Sequence, residues 1–302
     1  MEPCVFPSSI DKVGIFNASF GTRELGPALL SAIRSVYHHP ELVTLVSTLE
    51  PDRDDIVYIV ICPAGLWTPS NSSAAPTYYI TWQLEFWRAE CCTSAPNPYL
   101  DKLRGALYNW EYSEYNIQTV KKHYALESIH VIPGFNETIS THDLLTGSYL
   151  YTDSGKNIDI LFLGYCDAYP RRVAIREECR KRGFTMWFVA NLDLNGMKQA
   201  IRRSKICINV STFDPFILHT IRMNILLSNQ ACIVSERTID ESTTSVYAQS
   251  GMLFVPYEEI LDTCKMLIDD VEQRRKIAVQ SFQWYRNERR WTDIVDFTKL
   301  LP

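Results

Sequence analysis

The 302-residue sequence lacks the long apolar runs of a membrane protein, with no stretch approaching the roughly 20 residues that a bilayer-spanning helix needs. It opens on MEPCVFPSSIDKVGIF, without a basic segment followed by an apolar one, so no secretory signal is expected. The mature chain is therefore expected to begin there and to reside in the cytoplasm. No CxxC pair occurs among its nine cysteines, which excludes a zinc ribbon or thioredoxin-type site. Their odd number and their placement in apolar runs (KICINV, ACIVSE) point to reduced, structural thiols. HExxH and the GxxxxGK[ST] loop are missing, removing the metalloprotease and P-loop readings, and the absence of GxGxxG weakens a nicotinamide or flavin role. Internal repeats and low-complexity tracts are absent as well.

What is present is a globular composition, 46% hydrophobic, 22% charged and 12% aromatic, long enough for two domains. The net charge of −5 is unevenly spread. Residues 1–150 hold nine Lys and Arg against sixteen Asp and Glu, while residues 151–302 hold twenty-one against nineteen. An anion site is thus expected in the second half. Ten aromatic residues crowd the segment Tyr78–Tyr115.

Apolar runs at Val13–Asn17, Leu42–Leu49, Ile56–Cys62, Tyr78–Leu84, Leu107–Trp110 and Ser128–Pro133 predict strands, with helices over Glu24–Tyr37 and Glu114–Tyr124. The polar, breaker-rich stretch Gly134–Lys156 marks a boundary, placing an N-terminal domain at 1–150 and a C-terminal one at 151–302. Beyond it, strands at Ile158–Gly164, Phe184–Ala190, Lys205–Val210, Ala231–Ser235 and Met252–Pro256 are expected. Between and after them, helices are expected at Pro170–Arg182, Leu194–Arg203, Phe216–Ser228 and Glu258–Asp269, then a helical stretch Val271–Leu301. The alternation predicts an α/β chain of two Rossmann-like doubly wound domains facing a cleft.

In such sheets ligands gather beyond the carboxyl ends of the strands. Gly164 ends one strand, and Pro170 opens a helix whose first turn carries Arg171 and Arg172. Cations there oppose the helix dipole, which a bound phosphate would explain; solvated arginines beside Asp167, Glu177 and Glu178 are the alternative. A second candidate is STFDPFILHTIRMNILLSNQACIVSE, where His219 and Arg222 lie three apart on one expected helix and Ser235 and Glu236 end the next strand. These could bind phosphate and ribose hydroxyls, or Arg222 and Glu236 could form an ion pair beside a core histidine. Asp52–Arg53–Asp54 has the spacing of a metal-binding DxD but precedes its strand, so no metal is expected. The basic runs RRKIAVQ and RNERR alternate with acids and apolar residues as a solvated helix face does, and no nucleic-acid partner is expected.

The second half resembles the nucleotide-sugar-binding domain of GT-B-fold glycosyltransferases. The resemblance rests on the arginine-bearing helix after LFLG, on Asn209 in KICINVS, on HTIRMNILLSNQACIVSE and on SGMLFVPYEEILDTCKMLIDD. YYITWQLE, NWEYSEYNIQ and HVIPGFNE extend it into the first half, and the nearest likenesses are enzymes of bacterial surface polysaccharides and of large DNA viruses. The resemblance implies transfer of a sugar from a UDP- or GDP-linked donor to a glycan acceptor, with Gly164, Arg171, Arg172, Asn209, His219, Arg222, Ser235 and Glu236 around the donor. It implies a general base on the acceptor side, for which Glu85 ranks before Glu111 and Glu24, and a last helix, Arg289–Leu301, that crosses back to the first domain. No cofactor beyond the donor substrate is implied. Two positions depart from the pattern: the paired glutamates of retaining relatives fall on Asp214 and Arg222, and His219 stands where an acid is usual. Rival readings are a non-catalytic nucleotide- or glycan-binding protein on the same scaffold and a Rossmann oxidoreductase or epimerase.

Overall fold

The computed structural model describes residues 4–68, 71–72, 74–87, 98–140, 152–213 and 216–302. They form two compact units, Met1–Gly134 with Trp291–Pro302, and Phe135–Arg290. The expected boundary at 150/151 lies outside the described residues. Phe135 opens the second unit, where its ring meets Phe282 at 6.0 Å and its N–H donates to the Arg289 carbonyl at 2.7 Å.

The first unit runs β1 (Lys12–Asn17), α1 (Leu25–Arg34), β2 (Val43–Leu45), β3 (Ile56–Ile61), the short hairpin β4 (Trp67–Thr68) and β5 (Asn71–Ser72), and β6 (Tyr79–Gln83). It continues with α2 (Pro98–Gly105), β7 (Tyr108–Glu111), α3 (Glu114–Tyr124) and β8 (Ile129–His130). Apart from the hairpin, the strands form one parallel sheet in the order β2-β1-β3-β6-β7-β8. In β3 all six residues of IVYIVI are buried, as a β-branched run covered on two faces requires. Helix α1 buries Leu25, Ala28, Leu29, Ala32 and Ile33 at three- and four-residue spacing. The strands expected at Leu42–Leu49 and Ser128–Pro133 shorten to β2 and β8, the two edges of the sheet, where a partner on one side only holds less chain in register. Helix α2 had no expectation in the sequence.

The second unit runs β9 (Ile158–Leu163), α4 (Pro170–Lys181), β10 (Met186–Val189), α5 (Leu194–Arg203), β11 (Ser204–Asn209), α6 (Thr220–Leu227) and β12 (Ile233–Glu236). After these come α7 (Glu241–Ala248), β13 (Leu253–Val255), α8 (Ile260–Asp269) and α9 (Val271–Glu288). Its parallel sheet has the order β10-β9-β11-β12-β13. Ile160, Phe162, Ile206, Ile208 and Val234 of the sheet form one core with Ile175 and Cys179 of α4 and Leu261, Cys264 and Leu267 of α8. Burial pushes the Cys179, Cys207 and Cys232 thiols up to about 12, so they behave as small apolar side chains. Cys91 and Cys92 lie outside the described residues.

Two expectations fail in this unit. The helix expected from Phe216 starts only at Thr220, because the Phe216 carbonyl accepts from the Ile239 N–H at 3.0 Å and ties that segment into an extended path. The continuous stretch expected over Val271–Leu301 breaks into α9, α10 (Trp291–Ile294) and α11 (Phe297–Leu300). The last two belong to the first unit, where Trp291 lies 5.5 Å from the Trp82 ring and 6.2 Å from Phe297.

The two sheets share one topological feature. The chain moves outward from the first strand to the second, then returns to the first strand's other side. The reversal falls between β1 and β3 in the first unit and between β9 and β11 in the second. At such switch points the connections diverge and leave a crevice at the strand ends, the usual ligand position in open α/β sheets.

Candidate functional site

In the second unit two arginines converge on the switch point. Arg222, in the first turn of α6, donates from Nε to the Leu163 carbonyl at 2.8 Å and from Nη1 to Asn209 Oδ1 at 2.6 Å, joining the ends of β9 and β11. Arg172, from the first turn of α4, makes a parallel bridge, to the Val210 carbonyl at 3.2 Å and the Tyr165 carbonyl at 2.8 Å. Their guanidinium carbons stand 4.9 and 4.8 Å from the centre of one ring, Phe162. Among the described residues neither is paired with a carboxylate, so two cations are held on neutral carbonyls, an amide and an aromatic face. Burial lowers Arg172 to about 10, and burial with the Arg172 charge lowers Arg222 to about 9; each still carries its charge at neutral pH. A cation pair of one buried and one half-buried guanidinium is unfavourable without a counter-charge.

Gly164 permits the arrangement. A Cβ there would lie 3.0 Å from Arg222 Nη2 and 3.2 Å from two carbons of the Phe162 ring. Gly164→Ala is therefore expected to destabilise the unit by about 1–3 kcal/mol, as overpacking does, and to move the guanidinium. Urea denaturation checks this, and an unchanged midpoint would contradict the close approach.

The remaining donor-side residues form a second layer. Asn209 Nδ2 donates to Ser235 Oγ at 2.9 Å, and Ser235 Oγ donates to the Glu236 carbonyl at 3.0 Å. Arg171 does not join Arg172. Its two terminal nitrogens fork onto the Glu236 carboxylate, its guanidinium stacks 4.4 Å from the Tyr257 ring centre, and its carbonyl accepts from the Tyr257 hydroxyl at 2.7 Å. The Glu236 carboxylate also accepts the Ser211 N–H at 3.2 Å. The ion pair weighed for Arg222 and Glu236 thus forms with Arg171 instead.

His219 sits just ahead of α6 rather than on its face, with Nε2 buried and unpartnered among the described residues. Burial and the Arg222 and Arg172 charges hold it well below the usual histidine value, so it is a neutral imidazole and adds no positive charge. Asp214 lies outside the described residues. The acids near α4 bond other arginines: Asp167 with Arg176 at 2.5 Å, Glu177 with Arg180 at 2.6 Å and Glu178 with Arg182 at 3.0 Å. Arg172 is accordingly not a solvated surface cation; it is only 4% exposed. Sequence reasoning missed the Phe162 platform, the Tyr257 partner of Arg171, and Tyr165, whose side chain is 59% exposed and whose hydroxyl donates to Asn191 Oδ1 at 2.6 Å. An aromatic directly after a glycine-ended strand was the available signal for Tyr165.

In the first unit the carboxylates separate by environment. Glu85, beyond the end of β6, has an exposed side chain, and the protein crowded around it still raises its pKa by desolvation. Glu24 is buried at the start of α1, with its pKa raised by burial and partly lowered by Arg23. Glu111 is 2% exposed, its oxygens accepting from Trp87 Nε1 at 2.9 Å and Asn116 Nδ2 at 3.0 Å, and burial raises it well above the ordinary value. A carboxyl so enclosed, with both oxygens already accepting N–H donors, presents little of itself to a substrate, against the base role expected for it. Cys62 closes β3 in the left-handed region (φ 56°), and burial pushes its thiol up to about 12, with the Glu85 charge adding to the shift. Most of the aromatic crowd is core: Tyr79, Trp82, Trp87, Trp110 and Tyr112 are all buried. At Asp52–Arg53–Asp54, Arg53 pairs with Asp55 at 2.5 Å on the loop entering β3, at the opposite end of the strand from the switch point.

No family model matches the chain. An uncharacterised protein of Acanthamoeba polyphaga mimivirus is 28% identical over 184 residues, 55% of this chain, and the match spans 62% of that relative's length. Among solved structures, WaaG, a glycosyltransferase involved in lipopolysaccharide biosynthesis, superposes with a TM-score of 0.55 at 10% identity, over 91% of this chain and 95% of its own. HepE of Anabaena, in complex with UDP, gives 0.55 at 9% identity over 96% and 100%. The phage T4 β-glucosyltransferase, in complex with UDP and Mn2+, gives 0.53 at 12% identity over the same shares. With two parallel sheets and their helices matched over nine-tenths or more of the chain, the chain has the GT-B glycosyltransferase fold.

Proposed function

We propose that this protein is a glycosyltransferase that moves a sugar from a nucleotide diphosphate donor, UDP- or GDP-linked, to a glycan acceptor, without a divalent metal. The observation that carries the reading is the pair of guanidiniums, Arg172 and Arg222, joined to the ends of β9 and β11 and paired with no carboxylate among the described residues. A diphosphate supplies the missing negative charge, and two fixed cations stabilise it further as it leaves with the electrons of the broken bond. Glu85 is the preferred general base: of the three carboxylates considered, it alone is exposed. It takes the proton of the acceptor hydroxyl as the oxygen bonds to the anomeric carbon and the carbon–phosphate oxygen bond breaks. The UDP complexes of HepE and the phage enzyme agree with the donor class.

A thermal-shift panel tests the reading. UDP or GDP is expected to raise Tm by several degrees at saturating concentration, and slow hydrolysis of the matching sugar nucleotide is expected to persist in EDTA. A shift with NAD alone would overturn the donor assignment, and hydrolysis that needs added Mn2+ would overturn metal independence. Nucleotide binding without any turnover would favour a non-catalytic binding protein, the reading to which the Glu236 carboxylate, already occupied by Arg171, gives some support.

A further inference from the structure

Glu85 makes no side-chain hydrogen bond among the described residues that would hold it, yet the backbone beneath it is pinned at several points. Asn116, fully buried in the first turn of α3, donates from Nδ2 to the Glu85 carbonyl at 2.8 Å and accepts the Trp87 N–H on Oδ1 at 3.0 Å. The same Nδ2 donates to Glu111 Oε2, while Glu111 Oε1 accepts the Trp87 indole N–H. One amide and one carboxyl thus grip the residues on each side of Phe86. The Trp87 ring lies against Tyr99 at 5.9 Å with an interplanar angle of 15°, and the Tyr99 hydroxyl donates to Gln83 Oε1 at 2.5 Å. Gln83 pairs in register with Glu111 across β6 and β7, so the last residue of β6 and Trp87 return to the same anchor.

A purely structural seam would not need this chemistry. Burying a carboxyl is unfavourable, and apolar side chains of similar size would fill the space at lower cost. What the polar set adds is direction: each hydrogen bond fixes a backbone or indole position that dispersion alone would leave adjustable.

We infer that Asn116, oriented by the Glu111 carboxyl, is a positioning residue that fixes the Glu85–Trp87 backbone and thereby aims the Glu85 carboxylate at the acceptor. The inference rests on Glu85 being the general base of the proposed transfer. Glu111, excluded as a base by its burial, thus acts through Asn116 on the carboxylate that does the proton transfer.

The test is a double-mutant cycle in the full chain, read as hydrolysis of UDP-glucose with water as the acceptor, combined with amide hydrogen exchange. Asn116→Ala is expected to lower kcat about 10- to 100-fold with the donor KM within twofold, and Glu85→Gln with Asn116→Ala to be no slower than Glu85→Gln alone. Full additivity of the two losses would overturn the positioning role. Hydrolysis at the wild-type rate by Glu85→Gln would overturn the assignment of the base itself, a separate result that removes the inference with it. Independently of turnover, the Trp87 amide is expected to exchange at least tenfold faster in Asn116→Ala while the β7 amides keep their protection; an unchanged Trp87 rate would overturn the proposal. Should Asn116→Ala fail to fold, Glu111→Gln serves as the second variant. It matches the carboxyl in size, replaces the oxygen facing Asn116 Nδ2 by a second donor, and is expected to give the same kcat loss and exchange pattern.

Discussion

Replacing Arg222 by alanine is expected to weaken UDP or GDP binding about 10- to 100-fold, the loss that accompanies removal of one or two charge-assisted hydrogen bonds. The geometry sets the direction of the effect. Arg222 reaches the ends of the two strands flanking the switch point, with its guanidinium stacked on Phe162. Without it, Arg172 remains as a single cation. Arg222→Lys is expected to recover little, because an ammonium keeps the charge but loses the planar fork that spans the Leu163 carbonyl and Asn209. Arg171→Ala is expected to have a smaller effect on affinity, since Glu236 already neutralises that guanidinium. Calorimetric titration of the three variants separates these outcomes, and an Arg222→Ala affinity equal to wild type would place the nucleotide elsewhere.

Glu85→Gln is expected to lower kcat by about 100- to 10,000-fold with little change in donor KM, the range in which general bases contribute. The substitution keeps the size and removes the only feature the step uses, an ionised oxygen able to accept a proton. The pH profile provides a second check. Desolvation raises the Glu85 pKa, and only its carboxylate form can serve as the proposed base, so activity is expected to fall as pH drops through that raised value. The acid limb should therefore lie above the ordinary glutamate value of about 4.3. A Glu85→Gln enzyme that keeps both rate and acid limb would move the base to another residue, with Glu24 the next to test.

The alternation of the strands was legible because each central strand is a short, continuously apolar run, and a parallel sheet covered on both faces demands that pattern. The edges were less legible: Leu42–Leu49 reads like its neighbours, yet one-sided pairing keeps only Val43–Leu45 in the sheet. Helix α7, capped by the Asp240 carboxylate on the Thr243 N–H, has too short an apolar face to show in the sequence.

For the site, residue types and strand ends located Gly164, Arg171, Arg172, Asn209, Arg222, Ser235 and Glu236 on one side of one sheet. Pairing depended on a longer-range fact. Two arginines adjacent in sequence look equivalent, but on a helix they point about 100° apart. One turns toward β12 and meets Glu236; the other turns under the loop and meets the Val210 and Tyr165 carbonyls. Likewise Glu85 and Glu111 each follow or end a strand, and only the packing of Trp87 and Asn116 leaves one exposed and the other buried.

By itself, then, the sequence determined the βα rhythm, the mildly basic second half and the strand ends where an anion would sit, because these depend on local periodicity and composition. The tertiary structure alone decided which arginine is neutralised, which two remain cationic and which carboxylate stays open to solvent. Those properties belong to burial and to partners up to 65 positions away in the chain, and no local pattern encodes them.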